Sequence, residues 1–181
     1  LADTLSTAAG QLPEAETLTS SGAFANFCFG QGELLATPIQ IAALMNTIAA
    51  GGIWREPLFL ECTLDETTGE SLTALAHRGA RRVFSAQTAR ALRELLASVV
   101  TEGTGHEAAP TEGTAAGKTG TAQTGQFAAG KELKNYWFAG FYPARNPRYT
   151  IVVLQDGQTG LSRTSAAIFA RVCDALDAAG E

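Results

Sequence analysis

The chain has 181 residues, 45% of them hydrophobic and 17% charged, with a formal net charge of −5 at pH 7. That length suggests one domain burying roughly 70% of its unfolded surface, and the composition is that of a globular rather than a disordered chain. An acidic balance with no basic cluster argues against a nucleic-acid partner; no run approaches the roughly 18 apolar residues of a membrane span, and Leu1-Ala2-Asp3-Thr4 lacks the basic and then apolar start of a secretory signal.

In chain order, residues 1–29 are rich in Ala, Ser, Thr and Gly without a sustained period, and read as mostly irregular. A helix then starts sharply: Thr37 caps it, Pro38 fits its first position and Gln40 completes a capping box. Ile41, Leu44, Met45 and Ile48 are its apolar stripe, and Gly51-Gly52 stops it. Leu58 to Leu64 is a strand candidate and Asp65 to Gly69 a turn. A second helix is predicted from about Ser85 to Glu102, burying Leu92, Leu95, Leu96, Val99 and Val100. Residues 103–114 form a Gly/Pro/Thr loop.

A strand at about 116–123 follows, then a loop from Thr124 to Lys134, both the loop and 103–114 being expected to move. Tyr136 to Tyr142 is apolar on both alternating faces, as in a central strand covered on two sides. Pro143 ends it, Asn146-Pro147 turns the chain, and Tyr149 to Leu154 returns antiparallel. Ile168, Phe169, Val172, Cys173 and Leu176 mark a last helix, at about 164–178, lying across the sheet.

Cys28, Cys62 and Cys173 are odd in number and far apart, which is neither a disulfide framework nor a metal spacing; they read as small apolar fillers. His77 and His106 stand alone in polar loops without Asp or Cys at ligand spacing. No metal and no cofactor is expected.

The chemistry-bearing stretch is Lys118-Thr119-Gly120-Thr121. Lys-Thr-Gly on a strand is one of three motifs of active-site serine acyl transferases that react with β-lactams. The other two are absent: the residues three before Lys118, Lys131 and Lys134 are Ala115, Ala128 and Lys131, so there is no Ser-x-x-Lys, and no asparagine stands two residues after a serine. Gly117-Lys118-Thr119 also resembles a phosphate-binding Gly-x4-Gly-Lys-Thr loop. Glu112 occupies the position of its first glycine, however, and Gly120 and Gly125 break the helix such a loop requires.

Several stretches taken together resemble class B penicillin-binding proteins. Gly30-Gln31-Gly32 with Thr37-Pro38-Ile39-Gln40-Ile41-Ala42 is similar to the Gly-Gln-Gly and Thr-Pro-x-Gln-x-Ala run of that family. Ala50-Gly51-Gly52 followed by Pro57 fits the helix exit, and Val99-Val100-Thr101-Glu102-Gly103-Thr104-Gly105 its Val-Val-x-x-Gly-Thr-Gly. Ala116 to Gln123 matches its third motif, and Trp137 to Pro143 followed by Asn146-Pro147 the strand after it. The order and spacing agree from about residue 9 to the C-terminus.

The resemblance implies an α+β fold, with an antiparallel sheet of three main strands and helices packed against it, part of a β-lactamase/transpeptidase-like fold. It implies that residues 1–181 are the C-terminal part of a transpeptidase domain, starting just downstream of the second motif, with the nucleophile-bearing half elsewhere. The parent would be a peptidoglycan D,D-transpeptidase acting through a serine acyl-enzyme on stem peptides and taking β-lactams in their place, at the extracytoplasmic face of the bacterial cell membrane. The chain would supply one wall of the cleft. Lys118 would add positive charge, Thr119 and Thr121 hydroxyls would hold a carboxylate, Gly120 would let the ligand backbone approach, and the Thr121 N–H would be one of two oxyanion donors. Trp137 and Phe138 are core-strand aromatics first and ligand contacts second. The alternative is a noncatalytic fragment or interaction module that keeps the fold. Without its missing half, the chain is expected to self-associate or to be marginally stable.

Overall fold

The capping signals set the helix starts. Thr37, Ser85 and Thr164 are extended and accept backbone N–H bonds through their hydroxyls, opening α2 (Pro38–Ala49), α3 (Ala86–Thr101) and α4 (Ser165–Ala178). At Thr37 the capping box is complete, because Gln40 Oε1 accepts from the Thr37 N–H at 2.9 Å. The computed structural model describes residues 8–59, 62–74 and 79–180, with the backbone alone at 62, 63 and 72–74. His77 lies outside the described residues.

The sheet is β5 (Ala116–Ala128), β6 (Lys131–Tyr142) and β7 (Tyr149–Gln158), in the order β5-β6-β7 and antiparallel throughout. β6 is central, as its two apolar faces require. One face buries Ala116, Ala139 and Phe141 against Met45 and Ile48 of α2, with Leu92 and Leu96 of α3 packed alongside. The other buries Phe138 and Tyr142 against Phe169 and Cys173 of α4 and Val100 of α3. The Phe138 and Phe169 rings are tilted with centroids 4.7 Å apart. Phe138, Phe141 and Phe169 are fully buried, each contributing about 1.5–3 kcal/mol by its transfer from water.

Several expectations are corrected. Residues 124–134 are not a loop. Both arms of a hairpin continue through them, Phe127 pairing with Glu132 and Ala128 with Lys131 across a two-residue turn at Ala129-Gly130. Both turn residues have positive φ, 48° and 75°, the backbone that matches strand twist. An irregularity between Gln123 and Phe127 hides the strand period there. Residues 20–29 hold a short helix, α1 (Ser21–Cys28), capped by Ser20. Leu44 and Leu95 are exposed rather than on the buried stripes of α2 and α3. Cys173 is buried but Cys28 is exposed, because α1 has no buried residue.

Among the described residues of the 58–64 stretch, β2 (Cys62–Leu64) forms, paired with β3 (Ser71–Ala74) around the Asp65 turn; residues 60 and 61 lie outside the described set. A second ribbon, β1 (Ile53–Arg55) with β4 (Ala80–Arg82), was not foreseen. Stretch 103–114 is a loop, as read from the sequence, with two points of attachment. A 3-10 turn at His106–Ala108 buries Ala108, and Asp174 accepts from the N–H and hydroxyl of Thr111 at 2.7 and 3.1 Å.

Candidate active site

β5 is an edge strand among the described residues, and Lys118 to Thr121 lie along its open side. Lys118 pairs with Ala139, Thr119 with Phe138, Gly120 with Trp137 and Thr121 with Tyr136. Phe138 is fully buried and so is core alone, whereas Trp137 is half-buried beneath Gly120.

The four glycines of β5 and β6 differ in what requires them. A Cβ on Gly117 would stand 2.5 Å from the Phe138 ring, and one on Gly140 2.2 Å from the Ala116 carbonyl. Gly125 has a φ of 69°. At Gly120 the nearest atom to an added Cβ is Trp137 Cβ at 3.4 Å, ordinary contact. Among the described residues, neither packing nor backbone conformation demands glycine there.

The side chains form a linked set. Lys118 Nζ donates to the Thr119 carbonyl at 3.0 Å and to the Thr119 hydroxyl at 3.1 Å. That hydroxyl accepts from the ammonium and keeps its own proton to donate. Thr104 Oγ1, from the turn after α3, lies 3.3 Å from Thr119 Oγ1. Gly105 makes this approach possible, since a Cβ there would meet Val99 Cγ1 at 2.9 Å and Phe138 at 3.2 Å. On the far side, Gln31 Nε2 donates to the Thr121 carbonyl at 3.0 Å. The structure therefore brings Lys118, Thr119, Gly120 and Thr121 together on one strand edge and adds Thr104 and Gln31. Sequence reasoning had named those two only as parts of family stretches; the glycines flanking each were the available signal.

The penicillin-binding protein transpeptidase domain family matches residues 2–174 of the chain. The chain belongs to that family. Penicillin-binding protein PbpB of Mycolicibacterium smegmatis is 37% identical over 157 residues, covering 81% of this chain and 24% of the relative. The peptidoglycan D,D-transpeptidase FtsI of Escherichia coli is 34% identical over 140 residues, covering 75% of this chain and 21% of its own length. The chain thus spans less than a quarter of these relatives. A crystal structure of penicillin-binding protein 3 from Mycobacterium tuberculosis complexed with aztreonam superposes with a TM-score of 0.79 at 31% identity, covering 96% of this chain and 41% of that one. A peptidoglycan synthetase from Bifidobacterium adolescentis, 21% identical, shares the fold with a TM-score of 0.81 over 94% of this chain and 31% of its own. The α+β architecture with its antiparallel sheet is the fold the chain shares with both structures.

Proposed function

We propose that residues 1–181 are the C-terminal part of a penicillin-binding protein transpeptidase domain and form the donor wall of its cleft. The nucleophilic serine and its lysine come from residues outside this chain. In the reaction, that serine oxygen attacks the carbonyl of the penultimate D-alanine of a stem peptide. The C–N bond to the terminal D-alanine breaks, the leaving amine takes a proton, and an acyl-enzyme remains. An amine from a second stem peptide then attacks the ester, forming the cross-link and releasing the serine. A β-lactam acylates the same serine by opening its ring.

Within this scheme Lys118 and the Thr119 and Thr121 hydroxyls hold the substrate carboxylate. The Thr121 N–H donates to the oxyanion, paired with the N–H of the absent serine. Gly120 carries this reading, because it is the one glycine in β5 and β6 that nothing among the described residues requires; a bare Cα on an open edge suits the close approach of a ligand. The site acts at the extracytoplasmic face of the cell membrane, where the stem peptides are. A second reading applies to these 181 residues alone: with no Ser-x-x-Lys and no Ser-x-Asn, the chain by itself is noncatalytic and keeps only the fold.

The test uses the full-length protein that contains this chain, incubated with a fluorescent penicillin and read by mass and by rate. Acylation is expected on a serine outside residues 1–181, and none on the 181-residue chain alone. Thr121→Pro removes the backbone N–H, together with the Thr121 hydroxyl, at an edge position where proline is tolerated. It should slow acylation by at least about 10²–10³-fold, the usual loss of one oxyanion donor, with the lost carboxylate contact added. An adduct on a serine of this chain, or a Thr121→Pro protein that reacts at the parental rate, refutes the proposal.

A further inference from the structure

The Gly30-Gln31-Gly32 turn does more than lead into α2. Gly30 and Gly32 have φ of +80° and +88°, and an added Cβ on either would meet nothing within 4 Å. They are glycine for backbone conformation alone. The turn they make is tied to the end of α1, with Gly30 N–H donating to Phe27 O at 3.0 Å and Gln31 N–H to Asn26 O at 2.9 Å. Its product is the placement of one side chain, Gln31, whose Nε2 reaches Thr121 O at 3.0 Å across 90 positions of sequence.

That contact fixes an orientation. In an antiparallel strand the N–H and C=O of one residue point to the same side. Gln31 approaches the Thr121 carbonyl from outside the sheet, so the Thr121 N–H also faces away from β6 and into the cleft. Two residues earlier, Lys118 Nζ occupies the Thr119 carbonyl in the same manner. Both outward carbonyls of the motif are held by side-chain donors, while no side chain in the described structure takes the N–H groups beside them.

We infer that Gln31 is a positioning residue for acylation: it clamps the outward carbonyl of Thr121 and so keeps the N–H of the same residue aimed at the place where the oxyanion develops. This rests on the transpeptidase reading above. Loss of the clamp leaves the ligand's own contacts in place but lets the donor swing, and small misplacements near a reacting centre are costly in rate.

Two variants separate positioning from packing. Gln31→Met is close in size and shape but has no N–H to donate; Gln31→Lys keeps a donor at similar reach. In the full-length protein, Gln31→Met should lower the saturating acylation rate with a fluorescent penicillin at least about tenfold. The penicillin concentration giving half that rate should stay within about twofold. Gln31→Lys should recover most of the rate. In the 181-residue chain, hydrogen exchange at residues 118–124 should quicken in Gln31→Met and not in Gln31→Lys, with 149–158 unchanged in both. A Gln31→Met protein with parental rate or parental exchange overturns the inference, as does equal damage from both variants. If the unaltered full-length protein takes up no penicillin, the transpeptidase reading fails, and the exchange comparison alone decides whether Gln31 clamps the strand.

Discussion

Glycine substitutions separate the packing of Gly117 from the ligand approach proposed for Gly120, within four residues of β5. Gly117→Ala drives a methyl to 2.5 Å from the fully buried Phe138 ring and 2.7 Å from the Ala139 carbonyl. It should destabilise the chain by about 1–3 kcal/mol, as overpacking does. Gly120→Ala meets only ordinary contact, so urea unfolding of the chain should shift by less than about 0.5 kcal/mol, while acylation of the full-length protein falls. Equal stability losses in the two variants would remove the argument that Gly120 faces a ligand. The stretch from Lys118 to Thr121 was legible in the sequence as a motif, by type and order alone. The contacts of Thr104 and Gln31 were not. Each reaches the motif across the fold, 15 and 90 positions away, and no local pattern encodes such a distance.

At the scale of elements, α4 does more than cover the sheet. The Tyr142 hydroxyl donates to Asp177 at 2.6 Å and Asp174 holds Thr111, so the last helix pins both the end of β6 and the stretch leading into β5. The Asp177 hydrogen bond, with burial, pushes the Tyr142 hydroxyl from its ordinary 10.0 up to about 12. Burial, with Asp174 and Asp177 nearby, pushes the Cys173 thiol from 9.0 up to about 12. Both groups are held neutral in the fold and ionise more readily in the unfolded chain. Their contribution is therefore complete below about pH 9 and is lost as pH rises from there to about 12. Thermal midpoints should fall across that window. Tyr142→Phe should start lower, for want of the Asp177 bond, and fall less between pH 10 and 12. A flat profile in the parent chain would mean that neither group is held as described. Helix starts and the β6 and β7 strands were legible, since caps and doubly apolar runs are local signals. The β5–β6 hairpin was hidden because its turn is Ala-Gly and its arms are polar, and α1 because eight residues with a glycine inside give too little period.

For the whole molecule, large apolar side chains are exposed along the described chain: Leu12, Phe24, Phe29, Leu35 and Leu44 early, and Phe59, Leu64, Val83, Leu95 and Phe127 later, are each 48% exposed or more. Large apolar groups left open in this way tend to find a partner. Sedimentation of the isolated chain across a tenfold dilution should show a shift towards a smaller species at the low end. The paired change Phe24→Ser and Phe29→Ser should leave a monomer throughout. A parent chain that is monomeric at every concentration would show that these exposed side chains need no cover. The open side of β5 is a different matter. A second copy joining there edge to edge would need its N–H groups answered by carbonyls, and at Thr119 and Thr121 those carbonyls are already engaged by Lys118 and Gln31. Two such edges would meet donor against donor. The two engaged carbonyls thus disfavour growth of this edge into a fibril with its own kind.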